Sequence, residues 1–342
     1  MNTISASSFK LLRYINLKLL MCNGKCEFHT FCGYQRQTFT SNSNSSLVNG
    51  KIGVSVNELF LKWKSTFIES DVSEPVESIQ HILAHVLKTR NISIVHRQKN
   101  KILLPEEVER VTEYCQQRLK RVPIQYIIQE WDFRDLTLKM KPPVFIPRPE
   151  TEMLVDIVLS EIDCKPINKI LEFCCGSGAI SIALLKSRPL LRAIALDKSI
   201  DACKLTETNA KLHCVLDRLK IINCDIRDNV QIGMEKYDVI VSNPPYVFEK
   251  DLYNLQPEIK LYEDCDAFNG GVDGLAVIKP ILKASSLLLN YQGKLFMEVD
   301  SRHPLLITSW LQENKNNLKL NLVKTHKDFC SKDRFVKILK EY

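Results

Sequence analysis

The most constraining feature of this sequence is a regular alternation of short apolar runs with amphipathic stretches between residues 167 and 299. Strands that alternate with helices of these lengths form right-handed βαβ units. The sequence therefore predicts an α/β fold with a doubly wound, mainly parallel sheet. The predicted strands are 170–173, 193–196, 219–223, 239–241 and 294–299, and the predicted helices are 179–186, 201–212 and 274–289.

The region before this alternation has a different pattern. Residues 55–121 place apolar side chains at helical spacing, as at Val56, Leu59 and Trp63, and Pro105 followed by two acids is typical of a helix start. The next stretch carries five prolines and connects the helices to the alternating region. We therefore predict three structured parts: a small helical domain over 51–122, a Pro-rich connector over 123–150 and a catalytic domain over 151–342.

Residues 1–50 form a leader of unusual composition. They are rich in Ser, Thr and Asn, and they hold five basic residues against the single acid Glu27. This composition is typical of a mitochondrial transit peptide and predicts a mitochondrial matrix location. A secretory signal fits less well because Lys18 interrupts the apolar centre, and a disordered tail is the plain alternative.

The cysteines favour a reducing compartment. The chain has twelve, and several lie in apolar runs, as expected of reduced buried thiols. Cys22, Cys26, His29 and Cys32 are ligand types that suit zinc. They are crowded into 11 residues without a hydrophobic framework, so we predict no metal site.

Small and acidic residues gather where the predicted strands end, which is where open α/β sheets bind ligands. Small residues after the first strand let a ligand approach the backbone closely. Asp197, at the end of the second strand, can accept both hydroxyls of a ribose, and Asp225 with Ile226 can bond and cover an adenine. The predicted cofactor site comprises Glu172, Cys174, Cys175, Gly176, Ser177, Gly178, Asp197, Asp225, Ile226 and Asn243.

The turn after the first strand discriminates between adenosine ligands. A dinucleotide site needs Gly-x-Gly-x-x-Gly, and Cys174 occupies the first glycine position here. A carboxylate at Glu172 would repel a phosphate but suits a cationic ligand. S-adenosylmethionine carries an amine and a sulfonium, so it is the predicted cofactor. A helix-packing loop with surface acids is the alternative that these residues leave open.

The fourth strand runs into Asn243, Pro244, Pro245 and Tyr246. Two prolines fix the backbone and remove two donors, which leaves carbonyl and side-chain oxygens as acceptors. Such acceptors can hold both hydrogens of a planar amino group and aim its nitrogen at a methyl donor, while Tyr246 stacks on the flat group. We predict Asn243, Pro244 and Tyr246 as catalytic and all four residues as substrate-binding. An ordinary turn with a surface tyrosine is the alternative.

These residues resemble the HemK/PrmC family, the peptide-chain release factor glutamine N5-methyltransferases. The tetrapeptide is shared by the S-adenosylmethionine-dependent amino methyltransferases as a class, and the surrounding motifs separate this family from the adenine-N6 enzymes. The resemblance covers roughly residues 55–340. Its motifs are Pro-Ile-Gln-Tyr-Ile at 123–127, Ile-Pro-Arg-Pro-Glu-Thr-Glu at 146–152, Leu-Gln-Pro-Glu-Ile at 255–259, Glu263, and Gly-Gly-Val-Asp-Gly-Leu at 270–275.

The resemblance implies a Rossmann-like catalytic domain of about seven strands, a helical domain that helps to dock the release factor, and methylation of the glutamine in a Gly-Gly-Gln loop. It places the cofactor loop at 174–178, the ribose acid at Asp197 and the adenine neighbour at Ile226. Many relatives have Asp at Glu172 and Gly at Cys174, so a Cβ at 174 is expected to crowd a glycine-like backbone. Two roles remain open for Arg148. It can reach an acid or the cofactor carboxylate, or it can form a structural ion pair with Glu150 or Glu152.

The sequence therefore predicts an S-adenosylmethionine-dependent protein-glutamine methyltransferase whose partner is a release factor. We expect no direct binding to nucleic acid, because residues 51–342 hold 42 basic and 39 acidic groups and lack a basic excess. We also expect a monomer that does not bind a membrane. Two alternatives remain: an adenine-N6 methyltransferase acting on DNA or RNA, and a non-catalytic subunit that only binds the cofactor.

Overall fold

The computed structural model describes residues 47–48, 51–164, 167–228 and 235–342. The predicted transit peptide and the cluster from Cys22 to Cys32 lie outside these residues, apart from Leu47–Val48, which pairs antiparallel with Lys51–Ile52. No helix in the described ranges is long and apolar enough to cross a bilayer.

The helical segment follows the predicted apolar spacing. Ser55 caps its first helix: its hydroxyl accepts from the Glu58 N–H at 3.2 Å, and the Glu58 carboxylate accepts from the Ser55 N–H at 2.8 Å. Val56, Leu59 and Trp63 are buried in one apolar cluster, which confirms the helical prediction. The elements are α1 (Val56–Glu69), α2 (Pro75–Val86), α3 (Ser93–Arg97) and α4 (Pro105–Leu119), with Val54–Ser55 paired to Ile102–Leu103.

The connector contains regular structure that the sequence analysis did not assign. A short helix, α5 (Ile124–Ile127), precedes an antiparallel hairpin of Glu130–Phe133 and Leu136–Lys139. Arg134 makes the tight turn with a φ of 54°. Four-residue strands between prolines give too short a periodic signal to recognise.

The catalytic segment contains the predicted sheet of seven strands. They are β1 (Lys169–Phe173), β2 (Arg192–Asp197), β3 (Leu219–Asn223), β4 (Tyr237–Ser242), β5 (Leu289–Glu298), β6 (Leu320–Lys327) and β7 (Asp333–Lys340). Their order is β3-β2-β1-β4-β5-β7-β6. Strands β1 to β5 are parallel, whereas β7 runs antiparallel to β5 and β6 antiparallel to β7. The mainly parallel prediction is confirmed, and the antiparallel edge is new.

Helices cover both faces of the sheet, so it is doubly wound as predicted. One face packs Ile170 and Val239 against helix residues such as Leu154, and the other packs Ile240 against Ile278. The helices are α6 (Pro149–Asp163), α7 (Ala179–Ser187), α8 (Ile200–Leu212), α9 (Pro257–Tyr262), α10 (Ile278–Leu288), α11 (His303–Glu313) and α12 (Lys315–Leu318). Short 3₁₀ turns occur at Leu216–Arg218, Glu249–Asn254 and Cys265–Ala267.

Two predicted boundaries near β5 are wrong by four or five residues. Helix α10 begins at Ile278 rather than 274, because Gly271 and Gly274 have positive φ and form a turn there. Strand β5 begins at Leu289 rather than 294, through a register irregularity opposite β4 that includes Gln292 at φ 62°. The remaining predicted strands and helices start or end within two residues of the observed ones.

Candidate active site

A cavity of about 390 Å³ opens at the carboxyl ends of the parallel strands. Its wall includes apolar and aromatic groups that the sequence analysis did not select, such as Phe145, Phe173 and Phe268. Nine predicted site residues also line it: Cys174, Gly176, Asp197, Asp225, Ile226, Asn243, Pro244, Pro245 and Tyr246. The fold therefore gathers the ends of β1, β2, β3 and β4 around one space.

Four predicted cofactor residues do not line this cavity. Cys175 is buried, and its N–H donates to the Leu196 carbonyl at 3.0 Å. Ser177 is buried as well, and its carbonyl accepts from Asn209 Nδ2 at 3.0 Å. Together with Glu172 and Gly178, these residues shape the turn from behind. In this structure they support the loop and do not form the cavity wall.

Glu172 shows the physical reason most clearly. Its side chain is fully buried, and Oε2 accepts from the Ser181 N–H at 3.0 Å and from the Ser181 hydroxyl at the start of α7. Burial raises the pKa of Glu172 to about 8, so the group is largely neutral near pH 7. In this structure the Glu172 carboxyl group therefore faces Ser181 rather than the cavity.

Three alternate residues of the loop after β1 have a left-handed backbone conformation. Cys174, Gly176 and Gly178 have φ values of 60°, 55° and 81°. Cys174 carries a Cβ in this conformation, as expected from its place at a glycine position. A Cβ placed on Gly176 would have no atom within 4 Å, so open space lies beside its backbone, whereas one on Gly178 would come within 2.9 Å of Ile182 and Thr206.

This difference gives a testable expectation for the loop. Gly178→Ala should lower the free energy of unfolding by about 3 kcal/mol, because left-handed strain adds to overpacking against α7 and α8. Gly176→Ala is the matched control, and it should cost only about 1 kcal/mol from strain alone. Urea denaturation of the two variants measures the contrast, and equal losses would contradict it.

Asp197 is held in place by the loop. Its Oδ2 accepts from the Gly176 N–H and its Oδ1 from the Ser199 N–H, both at 2.9 Å. Burial raises the pKa of Asp197, and these two hydrogen bonds oppose that rise. The carboxylate is therefore fixed at the cavity wall, in a position to accept ligand hydroxyls.

Asp225 has a partner that the sequence analysis missed. Arg227 Nε donates to its two oxygens at 2.9 and 3.0 Å, and the guanidinium hydrogen bond holds the pKa of Asp225 below its usual range. Ile226 lies between them in the sequence and lines the cavity. Arg227 is only two residues away in the sequence, but no sequence motif indicated that its side chain would pair with Asp225.

Behind the 243–246 tetrapeptide lies a buried hydrogen-bond network. Asn243 Nδ2 donates to Thr151 Oγ1 at 3.1 Å, and Thr151 Oγ1 donates to Glu298 Oε2 at 2.8 Å. The Tyr246 hydroxyl donates to Glu298 Oε1 at 3.1 Å. Thr151 and Glu298 are buried and do not line the cavity. The sequence analysis missed both, because they lie far along the chain from Asn243.

Arg148 pairs with a residue from a distant loop. Its guanidinium contacts Glu263 at 2.6 Å and lies over the ring of Phe145, with 4.9 Å between the guanidinium carbon and the ring centroid. Glu263 also accepts from the Ile146 N–H at 2.9 Å. Among the open assignments for Arg148, pairing with an acid is the observed one, and that acid is neither Glu150 nor Glu152. Arg148 also lines the cavity.

Helix α9, just before Glu263, contacts the helical segment. Glu258 on α9 receives a hydrogen bond from Arg118 of α4 at 3.0 Å, and both side chains are buried. Arg118 also donates to Ser73 and Ser78, while the Tyr262 hydroxyl donates to the Lys120 carbonyl at 2.7 Å. The loop beside the cavity is therefore fastened to α4 at one end and to Arg148 at the other.

Comparisons with known proteins agree with this architecture. The Methyltransferase small domain model matches residues 136–259, and the PrmC N-terminal domain model matches residues 58–128. The described residues contain no group of three His, Cys, Asp or Glu side chains arranged to hold a metal ion.

Three curated relatives carry the name release factor glutamine methyltransferase. The human MTRF1L release factor glutamine methyltransferase is 43% identical over 82% of this chain and 86% of its own length. The relative from Clostridium acetobutylicum is 31% identical over 82% and 97%, and that from Aquifex aeolicus is 34% identical over 83% and 95%. Each of these matches covers more than four fifths of the chain, and the chain belongs to the release factor glutamine methyltransferase family.

Proposed function

We propose that this protein transfers a methyl group from S-adenosylmethionine to the side-chain amide nitrogen of the glutamine in the Gly-Gly-Gln motif of a translation release factor. The observation that carries the proposal is the placement of the 243–246 tetrapeptide and the Asp197 carboxylate in one cavity wall. The names of the family's curated relatives support the same substrate.

The cavity residues fit the cofactor. Asp197 would hold the ribose hydroxyls, Ile226 would cover the adenine, and the open space beside Gly176 lets a ligand approach the backbone. When bound, the cofactor supplies an electrophilic methyl carbon on a sulfonium. Glu172, Cys175, Ser177 and Gly178 would support this site through the loop rather than by contact.

The chain's own residues would activate a poor nucleophile. A carboxamide nitrogen has a delocalised lone pair and two hydrogens. The Asn243 side-chain oxygen and the Pro244 carbonyl would accept both, and Tyr246 would pack against the flat amide while Pro245 keeps the turn rigid. The glutamine nitrogen held by these acceptors would release one proton to water on accepting the methyl group. Positioning and electrostatics account for the catalysis, without a separate base.

A transfer assay tests the proposal. The purified chain is incubated with methyl-labelled S-adenosylmethionine and a release factor, and the matched control is the same factor with Gln→Ala in its Gly-Gly-Gln motif. We expect label on the wild-type factor, located by mass spectrometry on that glutamine, and none on the control. Equal labelling of both factors, or label on added DNA instead, would overturn the substrate assignment.

The remaining parts of the proposal concern the cellular setting. The basic, acid-poor composition of residues 1–50 supports import into the mitochondrial matrix. The near balance of charge over residues 51–342 supports a protein substrate rather than nucleic acid. We also propose that the enzyme acts as a monomer away from membranes.

A further inference from the structure

Glu298, the last residue of β5, is a buried acid that receives two hydroxyl groups. It is 1% exposed, with Thr151 Oγ1 at 2.8 Å from one carboxylate oxygen and the Tyr246 hydroxyl at 3.1 Å from the other. Burial, followed by the nearby Glu298, raises the pKa of Tyr246, so its hydroxyl keeps the proton that it donates. The Glu298 carboxylate therefore acts as the acceptor for both the Thr151 and the Tyr246 hydroxyl groups.

This direction decides which way the Asn243 amide faces. A threonine hydroxyl has one hydrogen, and Thr151 gives it to Glu298. Its oxygen can then only accept, so the Asn243 amide must turn its NH₂ toward Thr151, as the 3.1 Å contact shows. The amide oxygen is left as the group available to a ligand in the cavity that Asn243 lines.

We propose that Glu298 and Thr151 are positioning residues that fix the orientation of the Asn243 amide, so that its oxygen rather than its nitrogen meets the substrate. The proposal rests on the proposed function in one respect: the substrate group is a carboxamide NH₂. A reversed Asn243 would present two donors to the two donors of that group, and the Pro244 carbonyl would be left as its one proposed acceptor. Neither positioning residue lines the cavity, so both act through Asn243 and Tyr246.

The network responds to pH because Glu298 titrates near neutrality. Burial raises the pKa of Glu298 to about 7. The hydrogen bond from Thr151, the charge of Arg334 and the hydrogen bond from Tyr246 oppose this rise, whereas the charge of Glu150 adds to it. Arg334 is itself held by Asp328, with Nε and Oδ2 3.2 Å apart. Above pH 7 the carboxylate accepts from both hydroxyls. Below it, the protonated acid can donate to Thr151, and the direction of the network is lost.

The first test compares two substitutions at one position. Thr151→Val removes the hydroxyl at nearly constant volume, and its kcat should fall about 10- to 100-fold with an unchanged Kd for S-adenosylmethionine. Thr151→Ser keeps the hydroxyl and should restore most of the rate. Thr112→Val is the matched control, since it removes a hydroxyl that bonds only within α4 and should leave kcat unchanged. A slow Ser variant, or a fast Val variant, would overturn the proposal.

The pH profile provides a readout that a purely structural role would not change. Wild-type kcat should fall about fivefold from pH 7 to pH 6 as Glu298 gains its proton, and this acid limb should disappear in Thr151→Val. A limb that persists unchanged in the Val variant would count against the network.

A measurement without substrate separates this proposal from the proposed function. The NMR signal of the Asn243 side-chain NH₂, identified by its loss in Asn243→Ala, should titrate with a midpoint near pH 7 in the wild type and not in Thr151→Val. If the Asn243 signal titrates but no methyl group is transferred to a release factor, the proposed substrate is wrong and the proposed role of Glu298 and Thr151 stands. A signal that does not titrate in the wild type would refute the network.

Discussion

Replacing Asn243 with Ala is expected to lower kcat for methyl transfer to the release factor by about 10²- to 10³-fold, the usual cost of losing one preorganised polar group at a reacting centre. The variant loses the side-chain oxygen that would accept from the substrate amide, while Asp197, Ile226 and the loop after β1 are untouched. The Kd for S-adenosylmethionine should therefore stay within about threefold of the wild-type value. Single-turnover labelling and calorimetric titration measure the two quantities.

Asn290→Ala is the matched control for this substitution. Asn290 is also an asparagine that donates from Nδ2, in its case to Asp238 at 2.9 Å, near the amino ends of β4 and β5 and so at the opposite edge of the sheet from the cavity. Its loss should leave kcat unchanged. If Asn243→Ala turned over at the wild-type rate, the assignment of the tetrapeptide as the acceptor of the amide would be wrong.

The second large effect is expected in stability. Arg118→Ala should lower the free energy of unfolding by about 3–5 kcal/mol, because the Glu258 carboxylate would remain buried without its main partner. Arg121→Ala is the control: its contact with Glu258 is longer, at 3.4 Å, and its side chain is more exposed, so its loss should cost about 1 kcal/mol or less. Urea denaturation followed by tryptophan fluorescence measures this loss, and changing Trp131 and Trp310 to Phe in every variant leaves Trp63 as the reporter of the helical segment.

The same pair predicts a pH dependence with a definite sign. Although burial opposes it, hydrogen bonds from Ser73 and Arg118 hold the pKa of Glu258 below its ordinary value. The stabilisation is therefore fully present at neutral pH and is lost as the pH falls through the acidic range below about 4. The difference between wild type and Arg118→Ala should shrink over that range, and a constant difference would argue against the ion pair as its source.

Much of the fold could be predicted because its signals are local. The apolar sequence runs of β1 to β4 are followed by Gly, Asp or Pro, and their bounds lie within two residues of the prediction. Helix α11 and strands β6 and β7 were not assigned. In β6 only Leu320 is buried among partly exposed side chains, so its sequence lacks the apolar run that marks the central strands.

The site divides in the same way. Residues at strand ends, such as Asp197 and Asn243, are recognisable because the topology of parallel sheets brings those ends together. The partners that orient them cannot be found from spacing, since Thr151 lies 92 residues before Asn243 and Glu298 lies 52 residues after Tyr246. The position of Glu172 along its strand does not reveal that its side chain faces Ser181 of α7 rather than the cavity.

The contacts that hold α9 and Glu263 to two other parts of the chain limit how chimeras of this enzyme can be built. Among the described residues, the Glu258 side chain is hydrogen-bonded by Ser73, Arg118 and Arg121 of the helical segment, and the Glu263 side chain by Ile146 and Arg148 of the connector. A chimera that joins the helical segment and connector of one relative to the catalytic domain of another would take these partners from different parents. The loop of residues 257–263 beside the cavity could then lose these contacts. Exchange of the N-terminal segments between relatives should therefore keep Ser73, Arg118 and residues 257–263 from the same parent.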